Sequence, residues 1–101
     1  MAVINVTKDN FEEIKNSGKT VLLDFYADWC GPCRMVSPMV DQIAEEHPEY
    51  VVGKVNVDDE EDIAASFGIM SIPTLIVLKG GEVAQKSVGV IPKEQILNLL
   101  K

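Results

Sequence analysis

Residues 20–36 read TVLLDFYADWCGPCRMV, and the reading of this stretch decides the fold. Its first part, TVLLDFYA (20–27), is a near-continuous apolar run. Such a run marks a strand buried on both faces, hence a central strand of a partly parallel sheet. From Pro32 to about His47 the pattern changes period: Met35, Val36, Met39, Val40 and Ile43 recur at three- and four-residue spacing, as on one face of a helix. Pro38 falls inside this helix and is expected to kink it. Cys30 and Cys33 therefore stand where a buried strand hands over to a helix, and they are the only two cysteines in the chain.

The flanking sequence extends the alternation. AVINV (2–6) reads as a short strand, and residues 8–17 as a helix capped by Thr7, with Phe11 and Ile14 on one face. YVVGKVNV (50–57) is a strand, and IAASFG a short helix that Gly68 ends. TLIVLK (74–79), a Gly-Gly pair and EVAQKSV (82–88) form a β-hairpin. Pro92 opens a last helix that buries Ile96, Leu97, Leu99 and Leu100. The order is β-α-β-α-β-α-β-β-α, with no linker or repeat, which predicts a single three-layer α/β domain over residues 1–101 with a mixed sheet.

The chain has 101 residues, of which 47% are hydrophobic, enough for a core without covalent staples. Its net charge of −7 argues against binding nucleic acid through phosphates. No segment is long and apolar enough to span a membrane as a helix. MAVINVTKDNF lacks a basic start followed by an apolar core, so a cytoplasmic location is expected rather than secretion. DDEED (58–62) could suggest a cation site, but it directly precedes a short helix, whose amino terminus favours acids.

Two cysteines make no disulfide framework, and a bond closing so short a loop would stabilise the fold by only roughly 2 kcal/mol. A structural zinc site wants four ligands. The chain offers two Cys and one His, and His47 lies at the far end of the helix, over ~20 Å from the pair. His47 is expected to serve the helix end instead.

Redox chemistry fits the spacing. Residues three apart in a helix have Cα atoms roughly 5 Å apart, within disulfide range, so one turn can hold the pair reduced or oxidised. Pro32 suits a first turn. The helix amino terminus favours the Cys30 thiolate, and Cys33, one turn further in, is expected to be less exposed. Cys30 is thus read as the attacking thiol and Cys33 as the resolving one. Asp24, amid apolar residues on its strand, is expected to be buried with a raised pKa, and a buried carboxylate there can take the proton of Cys33. Trp29, beside a reactive cysteine in a loop, is read as an exposed contact residue. Met35 and Met39 are read as core packing.

DFYADWCGPCRMVSP resembles the active-site segment of the thioredoxin family, and KVNVDDEEDIAASFGIMSIPTLIVLKGGEV resembles its second half, so the likeness spans essentially the whole chain. The resemblance implies a thioredoxin fold of five strands and four helices. It also implies a protein-disulfide reductase with no bound cofactor, recharged by a flavin or iron–sulfur thioredoxin reductase. Cys30 and Cys33 match the redox pair, Asp24 the family's buried aspartate and Lys54 the lysine near it. Trp29, Ile72, Pro73, Val88 and Gly89 match the partner-gripping surface, with Pro73 cis. Tyr26 stands where many members carry Trp. Met70 and Ser71 depart from the residues most common in that loop, which bears on partner preference and not on the reaction.

The direction of electron flow depends on how strongly the Cys30 thiolate is stabilised. Gly31 and Pro32 bring neither charge nor imidazole, which favours a reducing poise, and the resemblance agrees because Gly-Pro is the thioredoxin pair. Disulfide-bearing proteins are the expected partners and a monomer the expected state. A binding module that uses the surface around Trp29 and Pro73 without turnover, and an oxidant or isomerase, are the alternative readings.

Overall fold

The computed structural model describes residues 3–101. The elements follow as β1 (Ile4–Asn5), α1 (Phe11–Lys15), β2 (Val21–Tyr26), α2 (Gly31–Glu46), β3 (Val51–Asn56), α3 (Glu61–Ser66), β4 (Thr74–Lys79), β5 (Glu82–Val88) and α4 (Lys93–Leu100). They build one five-stranded sheet in the order β1-β3-β2-β4-β5. β1, β3 and β2 run parallel, while β4 and β5 are antiparallel additions.

The apolar run of β2 explains the layers. Successive side chains on a strand point to opposite faces. Val21, Leu23 and Phe25 enter a core with Ile14 of α1 and Ile63 and Ala64 of α3. Leu22 enters the other, with Val36, Val40 and Ile43 of α2 and Ile96 and Leu100 of α4. The sheet therefore lies between two helix pairs, the mixed five-stranded, four-helix arrangement of the thioredoxin fold. Gly80 and Gly81 close the β4–β5 hairpin with φ of 61° and 79°, the positive-φ pair of a two-residue turn.

Several local readings need correction. The first strand keeps only Ile4–Asn5 of the expected 2–6, and residue 2 lies outside the described residues. The first helix begins at Phe11, not residue 8. Residues 7–10 instead form a turn, in which the Thr7 carbonyl accepts from Asn10 and Phe11 and the Thr7 N–H donates to Asn10 Oδ1. Met35 is 64% exposed and not core, because the buried stripe of α2 runs through Cys33, Val36, Val40, Ile43 and Ala44. Leu97 and Leu99 are only half-buried, at the flanks of a face centred on Ile96 and Leu100.

Candidate active site

Cys30 is the N-cap residue of α2 and keeps an extended backbone, with φ −89° and ψ 108°. Its own N–H donates to the Ala27 carbonyl, and its Sγ accepts the Cys33 N–H at 3.2 Å. A sulfur thus takes the place that a serine or aspartate oxygen usually fills at a helix start, satisfying a donor that the first turn leaves free. Gly31 and Pro32 form the opening turn, where proline removes no intrahelical bond. Cys30 and Cys33 are joined as a disulfide with their Cα atoms 5.3 Å apart. Both are buried, at 4% and 3% exposure, so the expected contrast between an outer and an inner sulfur is absent in the disulfide. The pair packs with Ala27 and against Tyr26, Val57 and Ile72.

Trp29 precedes the pair and is 70% exposed. Its indole N–H donates to Asp58 Oδ2 at 2.9 Å, and the Asp58 N–H donates in turn to Asn56 Oδ1 at 2.9 Å. Asp58 and Asn56 were not singled out from the sequence. The sequence places Asp58 with DDEED among helix-start acids, a role that falls to Glu61 and Asp62 in the first turn of α3. The register of β2 on β3 was the missing signal: Tyr26 pairs with Asn56, so the chain leaves both strands at one rim.

The Ile72–Pro73 peptide is cis. The Pro73 carbonyl accepts the Gly89 N–H at 2.8 Å, and Val88, paired with Thr74, is 58% exposed. Ile72 links this corner to the disulfide cluster. Trp29, Val57, Ile69, Met70, Ser71 and Ile72 line an open, mainly apolar recess of about 380 Å³, with Met70 at its lip.

A second recess, of about 220 Å³, is lined by Tyr26, Ala27, Asp28, Cys33, Arg34, Ser37 and Lys54. Arg34 is turned away to the Asp28 carbonyl, at 2.9 Å. Lys54 is half-buried, its Nζ 2.9 Å from Asp41 Oδ1 and hydrogen-bonded to Ser37 Oγ. Asp24 is buried, and its Oδ1 has no hydrogen-bond partner. Desolvation pushes its pKa up to about 6 from 3.8; the positive charge of Lys54 opposes that rise and the negative charge of Asp41 adds to it.

Among the described residues no three His, Cys, Asp or Glu side chains are placed to hold a metal. His47 caps the far end of α2, with Nδ1 3.0 Å from Glu49 Oε2. The redox group of the site is the cysteine pair itself.

The thioredoxin family model matches residues 2–101. The chain is 49% identical to the thioredoxin of Pyropia yezoensis over 102 aligned residues, covering 99% of this chain and 95% of that one. It is 47% identical to the thioredoxin of Alicyclobacillus acidocaldarius over 96 residues, covering 94% and 91%. Among solved structures, a mutant thioredoxin from Halobacterium salinarum superposes with a TM-score of 0.89 at 32% identity, covering 97% of this chain and 86% of that chain. With the redox pair set between strand and helix in this sheet, the chain belongs to the thioredoxin family and is a dithiol–disulfide oxidoreductase that reduces protein disulfides.

Proposed function

We propose that Cys30 attacks and Cys33 resolves. The observation that carries this reading is the Cys30 sulfur at the N-cap of α2, where the Cys33 N–H already points at it. Negative charge on that sulfur is favoured by the helix amino terminus. In the first step the Cys30 thiolate attacks one sulfur of a target disulfide. A mixed disulfide forms and the other target sulfur leaves as a thiolate. In the second step Cys33 gives its proton to the Asp24 carboxylate and attacks Cys30 Sγ. The first target sulfur leaves as a thiolate, two electrons have passed to the target, and Cys30–Cys33 is oxidised.

Gly31 and Pro32 keep the first turn free of charge and imidazole, which favours the reducing direction, and Lys54 tunes Asp24. Trp29, Ile72, Pro73, Val88 and Gly89 form the surface that grips an extended target segment beside Cys30; in support, Ile72 packs against the cysteine pair and the Pro73 carbonyl accepts the Gly89 N–H. An external thioredoxin reductase returns the electrons. The 101 residues act as one domain and as a monomer in the cytoplasm; in support, both faces of the sheet are covered by the chain's own helices.

The test is dithiol-driven reduction of insulin disulfides by the wild type beside Cys30→Ser. The wild type should precipitate the insulin chains catalytically, and Cys30→Ser should fall to the rate of the dithiol alone. A Cys30→Ser protein of undiminished activity would overturn Cys30 as the attacking thiol, and a wild type no faster than the dithiol alone would leave the binding-module reading standing in its place.

A further inference from the structure

Asp24 and Lys54 are register partners on the parallel strands β2 and β3. Side chains so paired project to the same face of a sheet and lie within reach of each other. That face looks toward α2, because Leu22, two residues before Asp24, packs on Val36 and Val40. A lysine beside a buried carboxylate is the expected ion pair. The structure has a different one: the Lys54 ammonium sits 2.9 Å from Asp41 Oδ1 and on Ser37 Oγ, both one turn apart on α2, while Asp24 Oδ1 stays unpartnered.

We propose that Asp41, assisted by Ser37, is a positioning residue that holds the Lys54 ammonium in the recess beside Cys33 and so keeps Asp24 an unpaired base. The inference rests on the reading of Asp24 as the proton acceptor for Cys33. Without Asp41 the ammonium loses its ion-pair partner, and its register partner Asp24 is a carboxylate on the same face of the sheet. An ion pair closed there would hold the Asp24 carboxylate ionised and make it a weaker base. General-base catalysis works best when the pKa of the base lies near the working pH, and a pKa of about 6 is closer to it than that of a paired aspartate.

The charged groups around Asp24 are few. β3 brings Lys54 and α2 brings Asp41. Arg34 on α2 and Asp28 in the preceding loop line the same recess, with Arg34 committed to the Asp28 carbonyl. β4 brings the apolar Leu75 opposite Asp24. In the disulfide form neither cysteine titrates, so the electrostatics of Asp24 can be read alone.

The experiment is a carbon-NMR titration of the Asp24 carboxyl in the oxidised protein, for the wild type, Asp41→Asn, Lys54→Met and the double variant. Asp41 is a half-exposed helix residue and asparagine is isosteric, so the fold is retained. Asp41→Asn should lower the Asp24 midpoint by about one pH unit, as expected for a cation brought close. Lys54→Met should raise it. In the Lys54→Met background, Asp41→Asn should shift the midpoint by less than half as much. An unmoved midpoint in Asp41→Asn, or an equal shift with and without Lys54, overturns the proposal, the latter because Asp41 would then act only through its own field. The pH profile of mixed-disulfide resolution in the reduced protein tests the underlying reading separately. If the midpoint moves with Lys54 but the acid limb of that profile does not follow, positioning stands and Asp24 is not the base. If the limb tracks the wild-type midpoint and Asp41→Asn moves neither, positioning falls and the base stands.

Discussion

Asp24 is 1% exposed, its Oδ1 has no partner, and its strand neighbours Leu23 and Phe25 are both fully buried. Its pKa of about 6 in the folded chain, against 3.8 ordinarily, makes stability depend on pH. Below the ordinary value the carboxyl is neutral in both folded and unfolded chains and there is no penalty. As pH rises from there through the folded value, the unfolded chain ionises first, and stability is lost until both are ionised. A gap of about two pH units corresponds to about 3 kcal/mol. Asp24→Asn should therefore match the wild type in pH dependence below pH 4 and gain on it between pH 4 and 7. Above that its advantage should hold level, by about 3 kcal/mol, while insulin reduction slows several-fold. Urea midpoints across that range check it, and parallel curves would contradict the burial account. Asp24 was legible in the sequence because a charge inside an apolar run is conspicuous. Lys54 was not legible by its residue type alone, since a lone lysine on a strand is usually a solvated one. Its partners Ser37 and Asp41 read only as part of the polar side of α2, and linking them required knowing which strand lies beneath that helix.

Among the elements, β3 shows what an apolar pattern leaves out. YVVGKVNV reads as a strand, yet nothing in its period explains a glycine at its centre. In the sheet, Gly53 pairs with Ile4 of β1 and Leu23 of β2. A Cβ there would meet Val6 Cγ2 at 2.5 Å, and Val6 is a buried, β-branched side chain with little room to turn. Gly53→Ala should destabilise the protein by about 1–3 kcal/mol through overpacking. The double variant with Val6→Ala should lose less than the two single losses summed. Additive urea midpoints would show that β1 yields without strain. The element order and the central place of β2 followed from period and composition, because a strand buried on both faces has nowhere else to go. The ends were less legible, because capping is decided by local hydrogen bonds. Thr7 has the side chain of a cap, but its backbone is spent in the turn that delivers Asn10 to that position.

At the scale of the whole molecule, strand direction assembles the site. β2 and β3 run parallel and finish together at Tyr26 and Asn56. β4 runs the other way, so its first residue, Thr74, lies at that same rim beside Phe25, and β5 ends there with Val88. The segments that leave or enter at this rim carry Trp29 and Cys30, Asp58, Pro73 and Gly89. Ligand and active sites of open α/β sheets commonly lie beyond the carboxyl ends of parallel strands, and this one does too. The cysteine pair was legible because two cysteines at a strand–helix junction have few other uses. Asp24 and Trp29 were legible from their settings as well, while Lys54, Ile72, Pro73, Val88 and Gly89 came from family resemblance, since periodicity does not yield strand order. The claim that joins these levels is that Cys30 attacks and Cys33 resolves, and it is tested most directly by trapping. Each single variant, Cys33→Ser and Cys30→Ser, is incubated reduced with oxidised insulin, and the products are measured as intact masses without reductant. With Cys33→Ser, a mixed disulfide should accumulate, map to Cys30 and disappear on addition of dithiothreitol, because no further cysteine in the chain can resolve it. With Cys30→Ser, little adduct should form. Equal trapping by both variants, or an adduct that forms faster on Cys33, would contradict the account.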